Sequence, residues 1–305
     1  MFPEKRFQVF GLGQCSLDYI GKIEAYPPPD VKCELSEAIF EGGGPAATAL
    51  TALARWGISC CFAGVVGDDL FGGIIEQSLR EQGIDTAGLV VRRASASQFA
   101  FIAAEQSLRR RNIFWRRPTG AEIRPGEIDL AILRRARLFH TDGLCMEAAR
   151  FAAEEARRAG VMVVVDGGTL REGMLDLARL SDCFVVSESF ARALTGGDNP
   201  RRACVMLSEL GPRLVGVTLG KTGYVAMAGA KIIEKEAYPV DSVDTTGCGD
   251  VFHAGLIYGL LRGWNAEKSL DLGAWAAAQV SLRLGGRSGI PTLAALEEKY
   301  GLSNE

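Results

Sequence analysis

Short, uninterrupted apolar runs alternate along this chain with segments of helical periodicity, and that alternation leaves few folds open. Residues 7–11 read as a buried strand that meets Gly11-Leu12-Gly13. Residues 59–66 read as a second, ending at Gly67-Asp68-Asp69, and residues 70–81 then have helical spacing. Residues 137–140, 161–166, 183–187 and 214–219 continue the strand series. Between them lie helical stretches at 148–159, closed by Gly160, and at 189–195, closed by Gly196. A strand without polar alternation is buried on both faces. The pattern therefore predicts an α/β fold, three layers α/β/α around a mostly parallel central sheet.

Two regions break the rhythm. Residues 19–40 carry Pro27-Pro28-Pro29 and then a polar/apolar alternation, and residues 98–115 hold two strand-like runs, 99–104 and 112–115, joined by a turn with Arg109, Arg110 and Arg111. Both suit antiparallel ribbons rather than strand–helix crossovers. The chain of 305 residues is read as one domain, 1–305, with a small β lid built from insertions at about 14–41 and 96–118.

Composition narrows the function. The formal charge is 34 − 37 = −3 with no basic arm, which excludes nucleic acid as a partner. The eight cysteines form no CxxC pair and, with only His140 and His253, offer no zinc-ligand spacing. Unpaired thiols, an N-terminus without a signal-like apolar stretch, and no apolar run of spanning length point to a cytoplasmic protein with no membrane partner.

The most informative stretch is Asp244-Thr245-Thr246-Gly247-Cys248-Gly249-Asp250, followed by a strongly helical segment, 251–262. Gly247 and Gly249 let backbone N–H groups turn inward, and a helix N-terminus adds unpaired donors and partial positive charge. Such a turn can hold phosphate oxygens, and Asp250 in its first helical turn could accept a proton from an attacking alcohol. It could equally be a glycine turn with Asp250 as a capping residue. A second stretch, Gly42-Gly43-Gly44-Pro45-Ala46-Ala47-Thr48-Ala49, opens a helix and lets backbone approach a ligand, or is a plain strand-to-helix connection. Gly11-Leu12-Gly13 suggests a dinucleotide fingerprint, but Ser16 replaces its third glycine and no helix pattern follows.

Over essentially its whole length the chain resembles the ribokinase-like (PfkB) family of carbohydrate kinases. Residues 42–49 resemble the family's first signature and residues 244–255 its highly specific second one, with supporting matches at 66–72 and 217–223. Its motifs lie closest to sulfofructose kinase and ketohexokinase-like members. The resemblance implies an ATP- and Mg2+-dependent kinase acting on a hydroxyl of a sugar or sugar derivative. Asp250 matches the catalytic base, and the backbone of Gly247, Cys248 and Gly249 matches the anion hole. Asp18, Gly43 and Gly44 match sugar contacts, and Thr218, Gly220 and Gly223 fall where the family binds nucleotide. Asp244 and Thr246 match backbone ligands of a monovalent cation such as K+. A homodimer formed through the lid is also implied.

The departures matter too. Where many members carry Asn-x-x-Glu, linked to magnesium and phosphate, this chain has Ser187-Glu188-Ser189-Phe190, so Ser187 and Glu188 take that place beside the nucleotide. The altered element is the support for an alternative, a non-catalytic nucleotide- or sugar-binding regulator on the same fold. The sulfonate-binding Arg of sulfofructose kinase aligns near Gly143. Of the arginines at 109, 110, 111, 116 and 117, strand alternation lets only a subset face a cleft. Arg111 best matches a lid Arg that contacts substrate or phosphate. His140 and Asp142 follow a strand, where a structural role is expected, and His253 is read as a packing residue.

Overall fold

A computed structural model describes residues 7–108 and 110–301. The chain opens with β1 (Val9–Leu12) and leaves the main sheet for β2 (Ser16–Ile23) and β3 (Glu37–Gly43). Helix α1 (Pro45–Arg55) returns it to β4 (Cys60–Gly67), and α2 (Leu70–Glu81) leads to β5 (Asp85–Arg92). A second excursion forms β6 (Phe99–Glu105) and β7 (Arg110–Arg116), followed by the short α3 (Leu130–Leu133). The strand–helix rhythm then resumes with β8 (Leu138–Thr141), α4 (Met146–Arg158), β9 (Met162–Gly167), α5 (Met174–Arg179) and β10 (Cys183–Ser187). Helices α6 (Glu188–Thr195) and α7 (Pro200–Ser208) precede β11 (Leu214–Thr218), β12 (Tyr224–Ala228) and β13 (Lys231–Lys235). Helices α8 (Cys248–Leu261), α9 (Ala266–Val280) and α10 (Leu293–Tyr300) follow.

The main sheet has nine strands in the order β13-β12-β11-β10-β9-β8-β1-β4-β5. It is parallel except at one edge, where β12 and β13 pair antiparallel. Successive residues of a strand feed opposite cores, which is why the central strands are apolar throughout. On β9, Val164 packs with α1, α8 and α9 residues such as Leu50 and Leu256, while Val163 and Val165 pack with α4 to α7 residues such as Ala152 and Phe190. The three-layer α/β/α expectation holds. The hairpin β12–β13 and strand β5 were not foreseen. β13 reads Lys-Ile-Ile-Glu-Lys, with the exposed, charged face of an edge strand, and β5 opens on Asp-Thr-Ala-Gly.

The two rhythm-breaking regions join in one four-stranded sheet, β3-β2-β6-β7. Each ribbon is antiparallel within itself, as expected, but β2 and β6 meet in parallel register, with Asp18 beside Ala100. This contact joins segments about eighty residues apart, so no local signal announces it. One face packs Ile20, Ile102 and Ile39 on Leu284. The other carries a cross-strand row of rings, Phe40–Tyr19–Phe101–Phe114, with centroids 4.4, 5.7 and 6.1 Å apart. Among the described residues no helix is long and apolar enough to cross a membrane, and all eight cysteines are free.

Candidate active site

The C-terminal ends of the parallel strands point toward the smaller sheet, and the crevice outside such ends is where open α/β sheets bind ligands. Asp250 lies on its floor, in the first turn of α8, with Gly247 as the N-cap residue at φ 73°. A side chain at 247 would be strained by that φ, and its Cβ would stand 2.5 Å from Gly286 Cα. A Cβ on Gly249 would meet nothing within 4 Å. Glycine at 247 is thus demanded by the protein, whereas at 249 the free space opens into the crevice. The loop is braced from below. Asp244 Oδ1 accepts Thr246 N at 2.9 Å and Thr246 Oγ1 at 2.8 Å, and Oδ2 accepts Gly285 N at 3.0 Å.

Burial, with the neighbouring Asp166 and Asp142 charges, pushes the Asp250 carboxyl up to about 8, against the opposing pull of Arg111 and Arg287. Arg111 reaches over from β7 and donates through Nη1 to Thr245 Oγ1, while its Nε is buried without a partner. Register explains the orientation: Arg111 pairs with Ala104, which pairs with Lys22, and Lys22 lies four residues from Asp18 on the same face. Arg110 points the other way, bonds Glu105 and stacks over Tyr26 at 5.6 Å. Arg116 and Arg117 are exposed, and Arg117 lies 4.9 Å over the Trp115 ring. Arg109 lies outside the described residues.

Asp18 is 9 % exposed, accepts Ser16 Oγ at 2.7 Å, and is raised above the usual carboxyl range by burial. A Cβ on Gly43 would collide with its carboxylate, so the glycine keeps this acid in place beside the start of α1. Gly44, at φ 92°, is the N-cap residue of that helix. Asp142 fastens the same corner by accepting Gln14 N at 2.8 Å, Ala46 N at 3.3 Å and Leu144 N at 2.9 Å. These bonds fit the structural role expected of it, and burial pushes it up to about 6. His140 is wholly buried, bonds the Val164 carbonyl at 3.2 Å, and is pushed down to about 3 by burial.

Along the rim, Ser187 and Thr218 are register neighbours at the ends of β10 and β11. Ser187 caps α6, accepting Phe190 N at 3.1 Å and donating to Gly168 O at 2.7 Å. Glu188 pairs with Arg192 at 2.9 Å on an exposed helix face. Gly220 opens a short 3-10 turn at φ 55°, and Gly223, at φ 105°, sits where any side chain would collide with the Lys235 carbonyl. Three residues to which motif reading assigned no role also stand here. Asp166 is buried at the end of β9, its Oδ2 3.4 Å from His253 Nδ1, and that nitrogen donates to the Gly249 carbonyl at 2.9 Å. Glu41 and the buried Arg287 stand behind Gly43, the Glu41 carboxylate accepting the Arg287 backbone N–H at 3.2 Å. The available signal for Asp166 was its position as the last residue of the predicted strand 161–166, just before Gly167-Gly168.

A sequence profile described as "pfkB family carbohydrate kinase" matches residues 7–293. The chain belongs to the PfkB family of carbohydrate kinases. Fructokinase-2 of Zea mays is 28% identical, over 97% of this chain and 95% of its own length. Fructokinase-1 of Oryza sativa subsp. japonica is 32% identical, over 82% and 81%. The structure of Arabidopsis thaliana ribokinase complexed with ribose and ATP shares the fold, with a TM-score of 0.82, 22% identity, and coverage of 96% of this chain and 98% of that one. This PfkB kinase is therefore an enzyme of ATP-dependent sugar phosphorylation on a ribokinase-like fold.

Proposed function

We propose that Asp250 is the general base of this kinase. A primary hydroxyl of the sugar, seated between Asp18 and Gly43–Gly44, attacks the γ-phosphorus of ATP. The hydroxyl proton passes to the Asp250 carboxylate, the new O–P bond forms as the bond to the β-phosphate oxygen breaks, and ADP leaves. Backbone N–H groups of Gly247, Cys248 and Gly249 face the charge on the transferring group, whose stabilisation is the main work of phosphoryl-transfer enzymes. The single observation that carries this reading is the position of Asp250: a half-buried carboxyl in the first turn of α8, beside an open glycine space and below an inward-turned arginine.

The nucleotide lies along Ser187, Glu188, Thr218, Gly220 and Gly223. Among the described residues no cluster of His, Cys, Asp or Glu is built to hold a metal ion by itself, so magnesium would arrive with the nucleotide. It neutralises phosphate charge when bound, held mainly through the nucleotide, as is usual for this ion. Asp166 and Glu188 would assist it in place of an Asn-x-x-Glu element. A monovalent cation such as K+ sits on the backbone of Asp244 and Thr246, and the enzyme works in the cytoplasm.

An ADP-release assay across neutral sugars, fructose and ribose included, and phosphorylated, acidic and sulfonated ones tests the reading. Acceptor-dependent ADP release above the ATP-only background is expected; its absence throughout would favour the non-catalytic regulator. Arg111 is assigned to an anionic group on the acceptor, since guanidinium matches such groups in two-pronged fashion. Arg111→Ala then lowers kcat/KM at least tenfold for anionic acceptors and less than threefold for neutral ones. An equal loss would place Arg111 on the transferring phosphoryl group instead.

The aromatic row on the outer face of the smaller sheet is proposed to pair two copies of the chain. One edge is acidic, with Glu37 on β3 and Glu34 just before it, and the other is basic, with Arg116 on β7 and Arg117 just after it. A two-fold axis would lay each against its opposite. Phe40 and Phe114, 63 % and 56 % exposed, are the test: Phe40→Asp with Phe114→Asp should convert a dimer to a monomer by light scattering, and an unchanged mass would refute the pairing.

A further inference from the structure

The turn at residues 285–288 touches both the anion-hole loop and the acceptor seat. On one side it abuts the anion-hole loop. Gly285 N donates to Asp244 Oδ2 at 3.0 Å, and the Gly286 backbone occupies the space a Cβ on Gly247 would need. On the other side it is fastened to the smaller sheet. The Glu41 carboxylate on β3 accepts Gly286 N, Arg287 N at 3.2 Å and Ser288 Oγ at 3.2 Å. The Arg287 side chain, 5 % exposed, runs back beneath the acceptor seat, where Nη2 donates to Gly43 O at 3.2 Å and Nε to Thr48 Oγ1 at 3.3 Å. Arg55 Nη1 holds the Arg287 carbonyl at 2.6 Å.

The guanidinium is matched by the charges of Glu41 and Asp18. A buried arginine whose side chain is fixed on two acceptors, Gly43 O and Thr48 Oγ1, and whose backbone N–H is held by the Glu41 carboxylate has little freedom to leave that geometry. Neither Glu41 nor Arg287 hydrogen-bonds Asp250, yet both grip the turn against which the Gly247 backbone is packed without a side chain between. A shift of Glu41 therefore moves Gly286, and a shift of Gly286 moves Gly247.

We propose that Glu41 and Arg287 are positioning residues, which hold the Gly247–Gly249 donors in register with the acceptor seat through the turn 285–288. The inference rests on the kinase reading above and adds to it a physical link between the smaller sheet and the anion hole. Because donors aimed at a transition-state charge act on turnover rather than on ground-state binding, the signature is a split between kcat and KM.

Glu41→Gln keeps the shape and one acceptor oxygen but removes the charge. It is expected to lower kcat at least tenfold on the best acceptor of the panel, with acceptor KM and the Kd for Mg-AMP-PNP changed less than threefold. Hydrogen exchange on the ligand-free protein supplies the second readout. In segment 244–251, where Thr246 N and Val251 N are hydrogen-bonded, exchange should quicken at least threefold. Arg287→Lys, which keeps the charge and loses the two-pronged grip, should move both readouts in the same direction. Should either variant fail to fold, Ser288→Ala removes one donor to Glu41 and is expected to lower kcat about threefold. A raised acceptor KM with unchanged kcat, or faster exchange confined to 37–43 and 285–288, would overturn the proposal. Absence of acceptor-dependent ADP release by the wild type would count against the kinase reading alone, and the exchange experiment would still decide this one.

Discussion

Asp250→Asn is expected to lower kcat by about 10²–10⁴-fold while Mg-AMP-PNP binds as before, the range typical of a lost general base. The same variant should be more stable than the wild type. A carboxyl in the unfolded chain titrates near ~4, whereas burial and the charges of Asp166 and Asp142 push folded Asp250 up to about 8. Between those values the unfolded chain releases a proton that the folded protein retains, so folding loses stability as pH rises from about 4 to about 8, and the penalty is constant above. Asparagine carries no such penalty. Its stabilisation, read by thermal melts, should vanish near pH 4 and be largest at pH 8 and above. Higher stability with lost turnover separates a catalytic role from a folding defect. Retention of more than about 5 % of wild-type kcat would refute the base assignment, given the magnitude such bases supply.

The two glycines of the anion hole should respond in opposite ways. Gly247→Ala places a Cβ at φ 73°, 2.5 Å from Gly286 Cα, and should destabilise the protein by about 1–3 kcal/mol, the usual range for such strain. It also turns the loop donors away, at a cost of about 10²–10³ in kcat for a lost donor. Gly249→Ala meets open space within a helix, where alanine is favoured by up to ~1 kcal/mol. It should melt at the same temperature or higher. The added methyl group would stand where the phosphoryl oxygens are proposed to lie, so kcat should fall by a comparable factor. Chemical denaturation and steady-state kinetics on the pair distinguish the two mechanisms, and a Gly249→Ala enzyme with full turnover would place the phosphoryl group elsewhere.

Much of this architecture was written in local pattern. The apolar runs that became β4, β10 and β11 and the helix at Leu70–Glu81 fall where periodicity places them, because strands buried on both faces and helices with one apolar stripe leave distinct signatures. The glycines flanking Cys248 announced a turn that could present backbone N–H groups. The parallel join of β2 to β6 left no trace, since it pairs residues distant in sequence and depends on both ribbons being placed first. Glu41 and Arg287 were equally hidden. Charged side chains are ordinarily exposed unless paired, and here the partners stand 246 positions apart along the chain. Arg111 was legible only in part: alternation limited how many arginines could turn inward, and the register with Ala104 selects which one does.

The central claim is that Asp250, half-buried on the crevice floor, takes the acceptor's proton, and the pH dependence of kcat/KM tests it most directly. The base must be ionised to act, so at pH 7, with the group at about 8, only about a tenth of the molecules carry it in working form. For the wild type, kcat/KM should rise about tenfold per pH unit from 6 toward 8 and level off above, as a single essential base requires. The residual activity of Asp250→Asn should lack that rise. A wild-type profile flat from pH 6 to 8, or the same rise persisting in the variant, would contradict the account.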